Sequence, residues 1–105
     1  MNYIIVLMTT STIDEAKNII QILLEEQLIA CANMIESISS FFWWKGKIEE
    51  DKEVLVIMKS NKDNFEKISK RVKELHSYEI PEILSVSILD GSASYLAWLK
   101  SILDQ

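Results

Sequence analysis

The feature that most constrains the fold is a pair of long extended segments, residues 29–44 and 47–60, on either side of Lys45-Gly46. A two-residue X-Gly connection of this kind is typical of β-hairpin turns. With this turn, Trp43 is predicted to lie opposite Ile48 and, farther down, Ser37 opposite Val54 and Ile35 opposite Val56. Strands of about 13 residues, at roughly 3.3 Å per residue, exceed ~40 Å in length. The hairpin is therefore expected to project beyond the helices that pack on it.

Apolar side chains are predicted on both faces of this hairpin. Phe41, Phe42, Trp43 and Trp44 are consecutive, so strand alternation places two of them on each face. The predicted register adds Ile35, Val54, Val56 and Met58 to the face of Phe41 and Trp43, and Met34, Ile38, Leu55 and Ile57 to the other. A half-exposed hairpin normally has one polar face. We therefore expect the four aromatic residues to form an interface with other copies of the chain, with one pair packing in the core of its own protomer and the other pair against a neighbour. The alternative is a monomeric satellite core, in which they pack under the C-terminal helix against Trp98.

The remaining hydrophobic periodicity predicts one domain, residues 1–105, in the order βαββαβ followed by a terminal helix. This is an α+β, ferredoxin-like sandwich with two helices on one face of an antiparallel sheet and the other face open. The predicted elements outside the hairpin are strands at 3–9 and 83–89 and helices at 12–28, 61–75 and 93–103.

Composition narrows the classes of function. The net charge is −5 and no Lys/Arg cluster occurs, which argues against a nucleic-acid partner. The N-terminal residues lack the pattern of a secretory signal, and no apolar run approaches the ~18 residues of a membrane span. Cys31 is the single cysteine, so no intrachain disulfide forms. We expect a cytoplasmic protein without a membrane partner.

Four segments carry a resemblance to a known family: "EEQLIACANMI", "FFWWKGKIEEDKEVLVIMKS", "ELHSYEIPEI" and "YLAWL". Together they resemble the CutA family of divalent-cation tolerance proteins over nearly the whole chain. The resemblance implies a ferredoxin-like protomer in a tight homotrimer similar to PII-type signalling proteins. It also implies a cytoplasmic protein, and some members are linked to copper and other divalent metals. Ser77 departs from the family pattern, which usually has proline at this position.

Two residues are candidate metal ligands. Cys31 offers a thiolate and His76 an imidazole, which are ligands suited to copper or zinc. The alternatives are a small buried apolar side chain for Cys31 and a capping or hydrogen-bonding role for His76. One Cys and one His do not complete a four-coordinate site, so carboxylates or other copies of the chain would have to contribute.

A second candidate site is an intersubunit cleft for a small molecule. The residues that we expect there are Trp44, Lys59, Tyr78, Glu79 and Glu82, with His76 beside them. Lys59 is predicted to face Ala32 across the hairpin. The acids after the turn, Glu49, Glu50, Asp51 and Glu53, are interpreted as a solvated hairpin tip.

The predicted function is that of a homotrimeric, non-enzymatic protein of divalent metal tolerance. It needs no obligatory cofactor and binds Cu²⁺ or another divalent cation weakly. Catalysis is not expected, because the chain has no Gly-rich phosphate loop, no HExxH or GxSxG motif, and no second Cys or His for a relay. The alternatives are a PII-like small-molecule sensor and a structural trimer that presents a partner surface.

Overall fold

A computed structural model describes residues 2–104. Its four strands form one antiparallel sheet in the order β2-β3-β1-β4, which confirms the ferredoxin-like arrangement. The elements are β1 (Tyr3–Thr10), α1 (Ile13–Glu25), β2 (Cys31–Trp44), β3 (Lys47–Asn61), α2 (Phe65–Leu75), β4 (Ile83–Ser87) and α3 (Ala93–Leu103). A short 3₁₀ turn, Lys62–Asn64, leads into α2.

Helices α1 and α3 each begin at a residue whose side chain caps the first turn. Thr12 precedes α1, and its hydroxyl accepts a hydrogen bond of 3.1 Å from the Glu15 N–H. Ser92 caps α3 in the same way, accepting from the Tyr95 N–H at 3.3 Å. These bonds satisfy N–H groups that the first turn of a helix leaves without a partner.

The core lies between α1, α2 and one face of the sheet. Alternate residues of β1 and β3 point into it, because successive strand side chains face opposite ways. The fully or nearly fully buried residues of this core are Ile4, Val6, Met8, Ala16, Ile19, Leu23, Ile29, Val54, Val56, Met58, Ile68 and Val72.

The hairpin turn has the predicted position. Lys45 and Gly46 both have positive φ, 50° and 78°, which is the geometry of a type I′ turn and matches the twist of the flanking strands. Trp43 pairs with Ile48, as predicted. The hairpin gives the molecule its length, since the extents are 44 × 25 × 22 Å.

The register below residue 38 differs from the prediction because of a β-bulge between Ile35 and Ile38. An extra residue on one strand shifts the pairing beyond it by one position. Ile35 therefore pairs with Leu55, and the predicted pairs of Ile35 with Val56 and of Ser37 with Val54 are wrong. The bulge also exchanges the predicted faces of two β2 residues, so Met34 lies opposite Val56 and packs against the core.

The four hairpin aromatics lie outside both hydrophobic clusters. Phe41 is 67% exposed and Trp43 is 72% exposed, while Phe42 and Trp44 on the other face are less so. The expectation that one of the two pairs joins the core of its own protomer is wrong. In a single chain all four side chains have a large surface in contact with solvent.

Helix α3 packs elsewhere, at one end of the sheet. Leu99 and Leu103 are buried against Ala30, with Tyr3 beside them. The predicted satellite core of Trp98 and the hairpin aromatics is therefore wrong. Trp98 is instead 42% exposed, and its ring lies 5.7 Å from that of Tyr95.

On the sheet face opposite α1 and α2, helix α3 covers one part, and most of the rest has no helix packed on it. We call this sheet face the open face. Its apolar residues are half-buried (Ile5, Leu7, Leu55, Ile57) or exposed (Ile35, Leu84, Val86). Between residues 2 and 104, no helix is long and apolar enough to cross a membrane.

Candidate functional site

The loop after α2 is fixed to the sheet through a buried histidine. The backbone N–H of His76 donates to the Val72 carbonyl and ends α2. The Nε2 atom lies 2.7 Å from the carbonyl oxygen of Thr9, and Nδ1 accepts a bond of 3.0 Å from the Tyr78 N–H. Because a carbonyl accepts and a backbone N–H donates, the ring is the neutral tautomer with its proton on Nε2. Both ring nitrogens are thus occupied, and the side chain is fully buried.

Glu15 of α1 supports the same loop. One of its carboxylate oxygens accepts a bond of 2.7 Å from the Ser77 N–H and lies 3.7 Å from Nδ1 of His76. Burial raises the pKa of Glu15, whereas the hydrogen bonds that its carboxylate accepts from Ser77 lower it, and the net shift of this pKa is downward. The proline that the family resemblance places at residue 77 has no N–H to donate. The serine therefore gives this chain a bond that proline would not.

Tyr78 connects the loop to the hairpin. Its hydroxyl donates a hydrogen bond of 2.7 Å to Glu53, which is only 8% exposed. Burial and the adjacent Glu53 carboxylate raise the pKa of Tyr78 well above its usual value, so the hydroxyl remains a donor. The Tyr78 ring also packs against that of His76, with centroids 4.7 Å apart.

A cleft of about 880 Å³ lies between the hairpin and this loop, and we call it the aromatic–acidic cleft. Its volume is in the range of small-molecule sites. The lining residues are Thr9, Ser40, Phe41, Phe42, Trp43, Trp44, Glu49, Asp51, Glu53, Tyr78, Glu79, Ile80, Pro81 and Glu82. Aromatic rings and carboxylates thus make up most of its wall.

Four of the residues predicted for a cleft are brought together here: Trp44, Tyr78, Glu79 and Glu82. Lys59 is not among the lining residues of a single chain. It lies opposite Cys31 and not Ala32 because of the bulge, and its ammonium group donates to the side-chain oxygen of Asn33. A contribution of Lys59 from another copy stays a prediction.

The sequence interpretation of the hairpin acids is wrong for one residue. Glu50 and Asp51 are exposed, as expected for a hairpin tip, but Glu53 is buried and bonded to Tyr78. No local signal pairs residue 53 with residue 78, because their contact depends on the path of the loop. Ile80, which is exposed and lines the cleft, was also not among the residues predicted for it.

The two candidate metal ligands are not neighbours. Cys31 pairs with Lys59, which pairs with Ile5, whereas His76 contacts Thr9. Ile5 and Thr9 are four residues apart on β1, about 13 Å at roughly 3.3 Å per residue. Between residues 2 and 104, no three His, Cys, Asp or Glu side chains are placed to share one metal ion. Cys31 and His76 therefore do not fit a common metal centre within one chain.

Cys31 has a different partner, the hydroxyl of Tyr95 at 3.3 Å from its sulfur. This contact, together with partial burial, raises the pKa of Tyr95 to about 12. The thiol is half-buried between β2 and α3 and is not one of the core residues. Whether it binds a metal stays a prediction.

Comparison with known proteins gives the family. Residues 4–102 match the CutA1 divalent ion tolerance protein family. The chain belongs to the CutA1 family. The divalent-cation tolerance protein CutA of Pyrococcus horikoshii is 46% identical over 96 residues, covering 91% of this chain and 93% of that protein. CutA of Thermus thermophilus is 38% identical over the same shares of the two chains.

Solved CutA structures have the same fold. The periplasmic divalent cation tolerance protein CutA of Archaeoglobus fulgidus superimposes with a TM-score of 0.93 at 36% identity, covering 96% of this chain and 98% of that one. CutA of Xylella fastidiosa gives a TM-score of 0.95 at 28% identity, covering 99% and 100%. The CutA1 fold therefore extends over nearly the whole of this chain.

Proposed function

We propose that this CutA1-family protein acts in tolerance of divalent metal ions as a cytoplasmic, non-catalytic homotrimer. The names of its relatives support the metal-related role, since they describe divalent-cation tolerance proteins. The number three follows from the family resemblance. Self-association is supported by the structure of the single chain.

The observation that carries the proposal is the exposure of the hairpin aromatics beyond the core. Phe41 and Trp43 project into solvent near the tip of a hairpin that extends past its own helices. The open face adds a second uncovered apolar surface on the same sheet. Soluble monomers rarely expose contiguous apolar areas of this extent. Contact between copies would bury these surfaces, and a closed ring would leave none of them unpaired.

Weak binding of Cu²⁺ or another divalent cation is part of this proposal, and the ligands must then come from more than one chain. In a homotrimer, three copies of Cys31 or carboxylates of a neighbour would supply them. Calorimetric titration with Cu²⁺ tests this on wild type and Cys31→Ala. The proposal predicts a dissociation constant below about 1 mM, which corresponds to a binding free energy of about −4 kcal/mol. It also predicts that Cys31→Ala no longer binds Cu²⁺ in this range. No binding in this range would refute direct coordination.

The functional test is growth of a bacterial strain that lacks its own CutA1-family gene, in medium with raised copper. We expect wild-type protein to restore growth and Phe41→Ser/Trp43→Ser to fail, because the variant does not assemble. Leu89→Ser is the matched control, since Leu89 is also highly exposed but lies outside the hairpin. Restoration by the double variant would contradict a role for the assembly, and no restoration by wild type would contradict the metal-tolerance role.

A second candidate function is that of a small-molecule sensor related in architecture to PII-type proteins. It is favoured by the aromatic–acidic cleft, which has the size of a ligand site and gathers Trp44, Tyr78, Glu79 and Glu82. In an assembly formed through the hairpin, a neighbouring chain would cover part of these aromatic side chains, so this second function requires a cleft that lies between subunits.

A further inference from the structure

We propose that the aromatic–acidic cleft binds an organic ammonium ion. This inference rests on the second proposal above, that the cleft holds a small molecule, and it adds the chemical class of the ligand. Three observations carry it: the charge of the lining, the aromatic surface beside that charge, and the volume.

The lining of the cleft is strongly negative. Five carboxylates contribute to it, those of Glu49, Asp51, Glu53, Glu79 and Glu82, and no lysine, arginine or histidine occurs among the described lining residues. Ion pairs within residues 2–104 use other acids: Glu15, Glu26, Glu74 and Asp104. A concave surface with one sign of charge concentrates ions of the opposite sign. The part of the cleft that one chain forms therefore favours a cation and disfavours phosphates and other anions.

The aromatic surface favours a cation with weak hydration. Trp, Tyr and Phe rings attract ammonium groups over their faces, most strongly when the cation gives up its water at small cost. The structure already shows this interaction at Trp44, because Nζ of Lys45 lies 5.8 Å from the centre of its ring. The same ring lines the cleft, so an ammonium group is a chemical type that this surface accommodates.

The volume and the spacing of the acids disfavour a bare metal ion as the occupant. A divalent ion needs several oxygen ligands at 2.0–2.6 Å. In the described part of the chain no three acids converge in this way, although five of them line the cleft. A cavity of about 880 Å³ is instead large enough for an organic molecule whose positive charge is spread over several atoms.

The test is calorimetric titration of the purified full chain with choline and with 3,3-dimethyl-1-butanol, which has the same shape without the charge. We expect choline to bind and the neutral alcohol to bind at least about tenfold more weakly. Trp44→Leu should weaken choline binding by a similar factor. Because Trp44 also belongs to the proposed interface, Glu79→Gln/Glu82→Gln provides a second variant. It should weaken binding several-fold and reduce its dependence on salt.

Glu66→Gln is the control. It also removes one negative charge, but at an exposed position on α2 away from the cleft, and it should leave choline binding unaltered. Equal affinity for choline and the neutral alcohol would overturn the ammonium assignment while leaving the cleft a small-molecule site. No binding of either compound at about 10 mM, or choline binding that both cleft variants leave unchanged, would overturn the proposal. Sedimentation of the same samples reports the oligomeric state independently, so a failure here is distinct from a failure of the trimer proposal.

Discussion

The hydroxyl of Tyr78 donates a hydrogen bond of 2.7 Å to Glu53, and this contact ties the loop after α2 to the long hairpin. It brings together two parts of the chain that are 25 residues apart. Both residues line the aromatic–acidic cleft, so their contact helps to define its shape. A buried carboxylate without such a donor would be unfavourable.

Replacing Tyr78 by phenylalanine should therefore destabilise the protein. The change removes the hydroxyl and leaves the buried Glu53 carboxylate without this donor, at a cost of about 1–3 kcal/mol. Urea unfolding of wild type and variant measures the difference. Tyr95→Phe is the matched control, because its hydroxyl bonds to Cys31 at an exposed position and its removal should cost less. Equal losses in the two variants would contradict the importance assigned to the Tyr78–Glu53 bond.

The tautomer of His76 is a direct prediction of its two hydrogen bonds. Because Thr9 accepts at one nitrogen and Tyr78 donates at the other, the neutral ring carries its proton on Nε2. A long-range ¹H–¹⁵N spectrum of the imidazole distinguishes the two tautomers. A ring with its proton on Nδ1 would contradict the geometry of the loop.

The stability of the protein should fall with acid partly because of Glu15. Its pKa is lowered in the folded state from an ordinary value of 4.5, so the unfolded chain binds the proton first. The stabilisation is present above that ordinary value and is lost as pH falls through the lower, folded-state pKa. Glu15→Gln should thus be less stable than wild type at pH 7, with the difference shrinking in acid. Urea unfolding from pH 7 to about pH 3 measures this. A difference that does not depend on pH would contradict the role of the charge.

The contact between Cys31 and Tyr95 should be visible in the titration of the tyrosine. The hydrogen bond to Cys31, together with some burial, raises the pKa of Tyr95 to about 12. Cys31→Ala should bring it down towards 10, the ordinary value. The ¹³Cζ shift of labelled tyrosine follows the titration of each ring separately. An unchanged titration of Tyr95 in the variant would show that the contact is absent in solution.

Local signals in the sequence are sufficient to predict much of the fold. The Lys45-Gly46 dipeptide specifies a turn with two positive φ angles, and Thr12 and Ser92 specify where helices begin. Each of these features depends on neighbouring residues alone. The order of strands then follows, because the ferredoxin-like arrangement is a standard solution for this succession of elements.

The features that could not be predicted depend on tertiary contacts. The bulge between Ile35 and Ile38 has no distinctive residue such as glycine, and it alone exchanged the predicted faces of Met34 and Ile35. Burial of Glu53 depends on the loop that brings Tyr78 to it. Trp44, Tyr78, Glu79 and Glu82 line one cleft because the loop after α2 returns to the hairpin, and the bulge places Lys59 opposite Cys31 and not Ala32.

Sedimentation equilibrium of the wild-type protein measures self-association through the hairpin directly. We expect a mass of about 36 kDa, three times the chain mass of 12.1 kDa, and a shift towards the single-chain mass in Phe41→Ser/Trp43→Ser. A wild-type mass of 12.1 kDa across the accessible concentration range would contradict self-association.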